Sequence, residues 1–508
     1  MLKKKSDNVE RIKMPIQKND LSFLLFVAIL SGLVALALGN SDTKIQLYGV
    51  AGLLGIVLVL AVIVRPNFGA NVLVIAIFSN VSAQLSDHGY PGIIKPLVVV
   101  VFSAIMIRNY YAGQLPAERR GTAVTEAFLI MYFIVLTASY LVASNKDRAI
   151  SEITEFGKDL VILYTILFSL REWGTWKQAV WLLIITTAVL SLLGVYQIVT
   201  GTRTQEFFRF STVEVQGVFD NDNSSTARIG GPVHDPNMWA QILVAVIPLV
   251  IFRIIHEARL RWKLLAIGML ASMFIVLLGT YSRGGYLALI IVVILILFFF
   301  ERKRINLLGA TAVFAALILL IPFLPSNYVS RFESLSLLTS SSTESSGIYE
   351  DSSLQQRSSV VQTAMLMFLD NPLLGVGAGN FRNNYQKYNQ ILGIEFQYGE
   401  VEAHSLYAQI ISETGILGLI AFVGIVFSIM FSMSRIVSLM RHSPFFSSYI
   451  PWIAAFQTAI VGYLVAATFL HNDYIRYFWI LIALSMTAVQ LIDEQFKNVD
   501  HSELGATL

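Results

Sequence analysis

Residues 280–304 read Thr280-Tyr281-Ser282-Arg283-Gly284-Gly285-Tyr286-Leu287-Ala288-Leu289-Ile290-Ile291-Val292-Val293-Ile294-Leu295-Ile296-Leu297-Phe298-Phe299-Phe300-Glu301-Arg302-Lys303-Arg304. From Gly284 to Phe300 no charge interrupts the apolar run, and as a helix rising about 1.5 Å per residue it nearly crosses a hydrocarbon layer of roughly 30 Å. A mostly basic cluster closes it and a single arginine opens it. That is the pattern of a membrane span with one cationic loop and one tight, polar turn.

The rest of the chain repeats this pattern. Runs of comparable character fall near 21–39, 46–64, 70–83, 93–107, 123–143, 159–170, 179–200, 237–252, 264–281, 284–300, 305–324, 405–434, 449–470 and 474–492. Three of them (70–83, 93–107 and 159–170) are short, so the expected count is 12–14 spans. Composition agrees: 508 residues, 55% hydrophobic, only 14% charged, mean hydropathy +0.66, against roughly 25% charged for a soluble domain. The expected fold is therefore all-α, a polytopic transmembrane helix bundle with little room for a soluble enzyme domain. Zero cysteines exclude disulfides, thiolate nucleophiles and Cys-based metal sites. A net charge of +3, with basic residues scattered over loops, offers no nucleic-acid surface. The start, Met1-Leu2-Lys3-Lys4-Lys5, leads into a polar stretch and then a full-length span, so no cleavable signal is expected.

An even span count puts both termini on one side. That side carries 22 of the 36 Lys and Arg, and the positive-inside rule makes it the cytoplasm. The expected layout is a cytoplasmic tail (1–20), an N-terminal bundle (21–200), a first periplasmic loop (201–236), helices carrying the Ser282-Arg283-Gly284-Gly285 turn (237–324), a large periplasmic loop (325–403), C-terminal helices (404–492) and a cytoplasmic tail (493–508). On the outer side there is neither ATP nor sugar nucleotide, so chemistry there needs a lipid-borne or pre-activated donor.

Within the large loop, a polar, Ser-rich tract (340–347) precedes Asp351-Ser352-Ser353, a candidate N-cap. A helical pattern follows, with Leu354, Val361, Ala364, Met365, Phe368 and Leu369 expected on one face, ending at Asp370-Asn371-Pro372. Too short and polar to span, this helix is expected to lie at the outer interface, with Arg357 near its start. The alternating glycines of Gly375-Val376-Gly377-Ala378-Gly379-Asn380 lack the dinucleotide spacing and a preceding strand, and so suggest a tight turn rather than a nucleotide loop.

The outward side also gathers chemistry-bearing groups. Arg283 sits between two long apolar helices, where an unpaired charge is costly unless it has a partner or a task, and the glycines after it admit a close neighbour. Arg228 and Asn237 flank the entry to a span, in a stretch that also reads as plain loop and cap. His404 opens another span; it suits proton transfer near neutrality, or else rests on a loop carbonyl. Arg382 follows the glycine turn, and His471 lies in a polar turn whose reading is more structural than catalytic. Both outer loops are otherwise acidic, so these arginines are no basic coat. Three guanidiniums, Arg228, Arg283 and Arg357, suffice to grip a pyrophosphate through paired charge-assisted hydrogen bonds. One imidazole suffices to take a proton from a hydroxyl.

Motif order now matters. Gln356-Arg357, the helix, Asn371-Pro372-Leu373-Leu374-Gly375-Val376-Gly377, then Ala403-His404-Ser405-Leu406-Tyr407 and Glu413-Thr414-Gly415-Ile416-Leu417-Gly418 resemble the O-antigen ligase and polymerase family. Ser282-Arg283-Gly284-Gly285 and Arg228 through Asn237 support the likeness, which covers roughly residues 200–490. The resemblance implies a GT-C-like fold and a glycosyltransferase of the bacterial inner membrane. It would move a glycan from undecaprenyl pyrophosphate to a sugar hydroxyl at the periplasmic face, with inversion, among membrane lipids, and with neither cofactor nor metal. It makes Arg283 and Arg357 the catalytic grip on the leaving group, with Arg228 assisting. His404 becomes the group that orients or deprotonates the acceptor, while Asn237, Arg382 and His471 are left as substrate-binding candidates. Fourteen spans exceed the number usual in that family.

Two activities share these motifs. A ligase delivers the glycan to the lipid A core; a polymerase delivers it to another repeat unit still on its carrier. A transporter or flippase for lipid-linked oligosaccharide is the reading from another class. It predicts ionisable residues along a path inside the spans, whereas here the candidates cluster on one face.

Overall fold

The computed structural model describes residues 61–62, 65–111, 120–202, 206–216, 226–299, 352–393, 401–441, 446–470 and 476–505. The expected spans at 21–39 and 305–324, and nearly all of 46–64, lie outside them. Helices dominate what is described. In chain order they are α1 (Pro66–Phe78), α2 (Val81–Asp87), α3 (Ile94–Tyr111), α4 (Ala123–Ser139), α5 (Lys146–Ser169) and α6 (Trp173–Thr200). After a two-stranded hairpin, β1 (Thr212–Gln216) and β2 (Thr226–Gly231), come α7 (Pro236–His256), α8 (Leu260–Gly279), α9 (Arg283–Phe299), α10 (Ser352–Asp370), α11 (Phe381–Ile391), α12 (Leu406–Arg441), α13 (Ile450–Ala466) and α14 (Arg476–Gly505).

Nine of the expected apolar runs fall fully among the described residues and are mainly helical, and 284–300 and 474–492 are helical over the part that is described. Among the described residues six helices are both long and apolar enough to cross a membrane, or seven if α1 and α2, bent by 58° at their junction, count as one span. The chain is thus an all-α, multi-pass membrane protein. The bend has a local cause: Asn80 sits in the left-handed region at φ 51°, which ends one helix and starts the next. Its side chain and that of Gln84 both donate to the Pro232 carbonyl, at 3.0 and 2.7 Å, so α2 is folded onto the stretch between α6 and α7.

Burial separates the centre of the bundle from its rim. Most of the spanning window is buried in α14 (83%) and α7 (78%), but only 28% in α8. The rim helices instead show large apolar side chains outward, such as Phe427 and Phe431 on α12 and Leu264 on α8. In a membrane that surface meets lipid tails at no hydrophobic cost, so helix association rests on close packing and buried polar contacts. Trp176 Nε1 donates to the Leu484 carbonyl, tying α6 to α14, and Gln241 donates to the Tyr463 carbonyl, tying α7 to α13. Tyr132, Phe156 and Trp479 form an aromatic junction of α4, α5 and α14, with ring centroids 5.1 and 5.2 Å apart for successive pairs. Edge-on pairs of this kind contribute about 0.5–1.5 kcal/mol each beyond their area.

A second, smaller core caps one end. Val360, Ala364 and Met367 of α10 pack with Val376, with Phe381, Tyr385 and Tyr388 of α11, and with Ala403 and Ala408. α10 runs to Asp370, where the Asp-Asn-Pro stop predicts its end, yet its buried face differs from the expected one. Val360, Thr363, Ala364 and Met367 are inside, whereas Val361, Met365 and Leu369 are largely exposed. Both sides of this helix are apolar, and a sequence pattern alone does not say which of two apolar stripes meets the protein.

The hairpin is also new relative to the sequence reading, which gave 201–236 no regular structure. Its strands are short, and Thr212-Val213-Glu214-Val215-Gln216 alternates over only five residues, too few to stand out between spans. The alternation nonetheless sets two faces. Ile229 is buried, while Arg228 pairs across to Glu214.

Candidate functional site

The turn between α8 and α9 is built by short polar side chains. Thr280 Oγ1 donates to the Leu277 carbonyl and closes α8, and Ser282 Oγ accepts from the Gly285 N–H and caps α9. Arg283 is consequently the first residue of α9, at the helix end where backbone N–H groups lack intrahelical partners. Both following glycines face close neighbours: a Cβ on Gly285 would lie 2.7 Å from the Ala240 Cβ, and one on Gly284 would lie 3.0 Å from the Phe469 ring. The close approach expected of this motif is therefore made by α7 and by the turn after α13.

Arg228 and Asn237 come together with this turn. Arg228 Nε donates to the Thr280 carbonyl at 2.9 Å and Nη2 to Asn237 Oδ1 at 3.0 Å, while Nη1 lies 3.9 Å from Glu214. Asp235 caps α7 through the N–H groups of Asn237 and Met238, with Pro236 at the first helical position. Arg228 thus binds three separate stretches of chain, and its side chain is only 11% exposed. Two of its nitrogens already hold protein acceptors, which makes it a brace of the site more than a free phosphate ligand.

His404 precedes Ser405, whose hydroxyl and carbonyl accept from the Ala408 and Gln409 N–H groups in the first turn of α12. It is half-buried, with φ 43°. Tyr281 (φ 51°) and His234 (φ 60°) share that left-handed backbone. Non-glycine residues so placed cost of order 1–3 kcal/mol, and such strain concentrates at functional sites. Among the described residues it falls also at Asn80 and at Phe207, Phe208 and Arg209, and the helices that follow Tyr281 and His404 both pack on the turn Ala467–Phe469 after α13. Tyr407 donates to the Leu464 carbonyl of α13 at 2.9 Å, and Phe469, just beyond α13, is the neighbour of Gly284 beside Arg283. Arg228, Asn237, Arg283 and His404 are therefore linked, contact by contact, on the same side of the molecule.

The glycine turn is held by the Glu-Thr-Gly motif. Val376 and Gly377 N–H donate to the Ser412 and Glu413 carbonyls at 2.8 and 3.0 Å, and Ile416 N–H to the Pro372 carbonyl at 2.8 Å. The Glu413 carboxylate, fully within the protein, accepts from the Gly379 and Phe381 N–H groups at 3.0 and 3.1 Å. Gly415, at φ 66° and ψ −162°, breaks α12 so that this exchange is possible. Space is also decisive: a Cβ on Gly375 would lie 2.4 Å from the Glu413 carbonyl carbon, and one on Gly415 would lie 2.5 Å from that of Leu373. Asn380 adds the link to the N-terminal bundle, its Oδ1 accepting from Ser144 Oγ and the Asn145 N–H.

Beside this turn lies a polar cavity of about 240 Å³. Its walls are Arg148, Ser151 and Glu152 of α5; Gly379, Phe381 and Arg382; Glu402 and Ala403; and Gln409 and Glu413. Arg382 pairs with Glu402 in its wall, and Ala403 is bonded to His404. The sequence singled out Arg382 and His404 here but not Arg148, Ser151 or Glu152, which look like any solvated helix start. Glu413 entered only as a motif letter, although a carboxylate inside an apolar helix is itself a signal of a task.

Arg357 lies in the second turn of α10, its side chain outside the described residues, as is His471. Arg476, which ends the same polar turn, donates to Asp159 and Glu155 at 2.7 and 3.0 Å and fastens α14 to α5.

Residues 268–423 match the family model described as O-antigen ligase. Over this stretch the chain is similar to the O-antigen ligase family. The family is one of membrane glycosyltransferases that serve O-antigen ligation or polymerisation, and its partners are, in general terms, a lipid-linked glycan and a glycan acceptor. The O-antigen ligase segment begins within α8 and ends past the break in α12. It includes Arg283, Arg357, Arg382, His404 and Glu413, while Arg228, Asn237 and the α5 wall of the cavity lie before it. Comparison with curated proteins gives no match.

Proposed function

We propose that this chain is an O-antigen ligase that transfers a glycan from undecaprenyl pyrophosphate to a sugar hydroxyl of the lipid A core, at the periplasmic face of a bacterial inner membrane. Both termini then lie in the cytoplasm, in keeping with the basic residues concentrated on that side. One observation carries the reading: within the family-matched segment, the helices begun by Arg283 and just after His404 both pack on the turn Ala467–Phe469, and Arg228 braces the Arg283 turn.

The chemistry follows from those groups. The acceptor hydroxyl oxygen attacks the anomeric carbon in line. A new C–O bond forms as the bond to the phosphate oxygen breaks, and configuration inverts. The hydroxyl proton passes to the His404 imidazole and from there to solvent. Undecaprenyl pyrophosphate departs with an added negative charge, which the Arg283 and Arg357 guanidiniums neutralise. Donors placed where charge develops supply much of an enzyme's rate enhancement, and a scheme built on two guanidiniums calls for no metal.

The decisive assay is transfer in vitro, with purified full-length protein, a defined undecaprenyl-pyrophosphate glycan and lipid A core as acceptor, in the presence of chelator. Product formation supports the ligase. Elongation of the carrier-linked glycan in place of transfer to the core would reassign the chain to repeat-unit polymerisation, and a requirement for divalent metal would remove the arginine scheme.

A further inference from the structure

Neither Arg228 nor Arg283 lines the cavity beside His404, and its composition says what it suits. Its charged lining is two guanidiniums, Arg148 and Arg382, against three carboxylates, Glu152, Glu402 and Glu413. Arg382 and Glu402 neutralise each other, and Glu413 serves two backbone N–H groups. A dianionic diphosphate gains little from such a balanced wall. A neutral, hydroxyl-rich ligand gains much, because each hydroxyl both donates to a carboxylate and accepts from a guanidinium, and bonds to charged partners are the stronger ones. At about 240 Å³ the space falls below the roughly 300–1,000 Å³ of drug-sized sites and suits a sugar ring, not a long chain. On the α5 side it opens through exposed Ser151 and Glu152.

We infer that this cavity is the subsite for the acceptor sugar, with Arg148, Ser151 and Glu152 of α5 as the residues that select it. The inference rests on the transferase reading above. Position assigns the acceptor and not the donor: Ala403 in the cavity wall is bonded to His404, the group that takes the acceptor proton. The α5 wall, moreover, comes from outside the family-matched segment, so recognition of the acceptor is separate from the motif-borne grip on the leaving group. Gly379 marks how closely this wall is fitted, since a Cβ there would lie 2.7 Å from Glu152 Cγ.

Two variants test it on the full-length protein. Glu152→Gln keeps the shape and removes the charge, and Ser151→Phe fills the opening from an exposed position that folding tolerates. In the transfer assay both should raise KM for the acceptor about tenfold or more, with KM for the undecaprenyl-pyrophosphate donor unchanged, as expected for loss of a charge-assisted hydrogen bond. An unchanged acceptor KM, or a rise confined to the donor, overturns the subsite while wild-type turnover leaves the transferase reading intact. Saturation-transfer NMR needs no turnover. Free glucose, galactose, N-acetylglucosamine and rhamnose are offered to wild type and to Ser151→Phe. Signal from at least one sugar that Ser151→Phe abolishes supports the subsite; no signal from any of them, or signal that persists in the variant, overturns it even if transfer fails altogether.

Discussion

The Nε of Arg228 donates to the carbonyl of Thr280 across 2.9 Å, three residues before Arg283. The same guanidinium holds Asn237 Oδ1, so a strand, a helix start and the Arg283 turn share one cation. Replacing Arg228 by alanine leaves a buried carbonyl and an amide without their donor, at about 1–3 kcal/mol. We expect Arg228→Ala to lower the melting temperature of the detergent-solubilised protein together with its activity, and Asn237→Ala to do the same more mildly. Wild-type melting with activity lost would instead make Arg228 a direct ligand of the diphosphate.

Arg283 and Arg357 behave differently under the proposed chemistry. Removing one positioned donor to a developing charge costs about 10² to 10³ in rate. Arg283→Ala and Arg357→Ala should each lose that much turnover, measured as glycan transferred per unit of purified protein, with melting curves close to wild type. Lysine in their place should restore only part, because a point charge does not reproduce a two-pronged contact.

For His404 the expected loss lies in the proton step. His404→Ala should depress turnover at saturating donor by about 10² or more, while retention of a labelled undecaprenyl-pyrophosphate glycan by the protein stays unchanged. Turnover within a few-fold of wild type would remove the imidazole from the reaction.

Glu413 and Gly375 fail as structure, not as chemistry. A methyl group at Gly375 collides with backbone and strains a residue already at φ 64°, which costs of order 1–3 kcal/mol or more. Glu413→Ala strands two N–H groups, each at about 1–3 kcal/mol. Both variants should show reduced yield and earlier aggregation on heating, read by fluorescence-detected gel filtration. A Gly375→Ala protein that melts like wild type would contradict the interlock of the two motifs.

His234 should give the stretch between α6 and α7 a pH response. Burial, and then the adjacent Arg209 guanidinium, hold its imidazole below the ordinary value of 6.5. In the neutral ring, Nδ1 accepts from Arg209 at 2.7 Å and Nε2 donates to Gln84 at 3.1 Å. Below 6.5 the unfolded chain takes up a proton that the folded chain resists. The stabilisation is therefore complete above about 6.5 and fades as pH falls toward the folded value. Hydrogen exchange in residues 80–88 and 226–234, corrected for intrinsic rates, should be faster at about pH 5.5 than at about pH 7.5, on either side of that value. His234→Asn, neutral throughout and tolerant of the left-handed backbone, should abolish the difference.

How far the sequence carries can be read from particular residues. Runs such as 284–300 announce themselves because lipid demands unbroken apolar helix, and Asp370-Asn371-Pro372 marks a helix end by backbone chemistry alone. The Arg283 and His404 turns were legible as polar punctuation between spans. What escaped depends on distant pairing. That Val360 and not Val361 faces inward is decided by α11 and α12. That Arg148 and Glu152 line a cavity is decided by Gly379, more than 200 residues away, and nothing local to α5 betrays it. Strands β1 and β2 are too brief for alternation to be distinctive, and the bond from Arg228 to the Thr280 carbonyl joins residues 52 apart that no local pattern pairs.

The reach of the Glu413 carboxylate bears on how the molecule is assembled. Its two amide partners lie only 34 and 32 positions back along the chain, whereas Asn380 must find Asn145 across 235. Closing the shorter loop carries the smaller entropic penalty, and its partners are translated close together. The small second core is thus equipped to take shape by itself within the C-terminal half, and to dock afterwards onto the start of α5, translated more than 200 residues earlier.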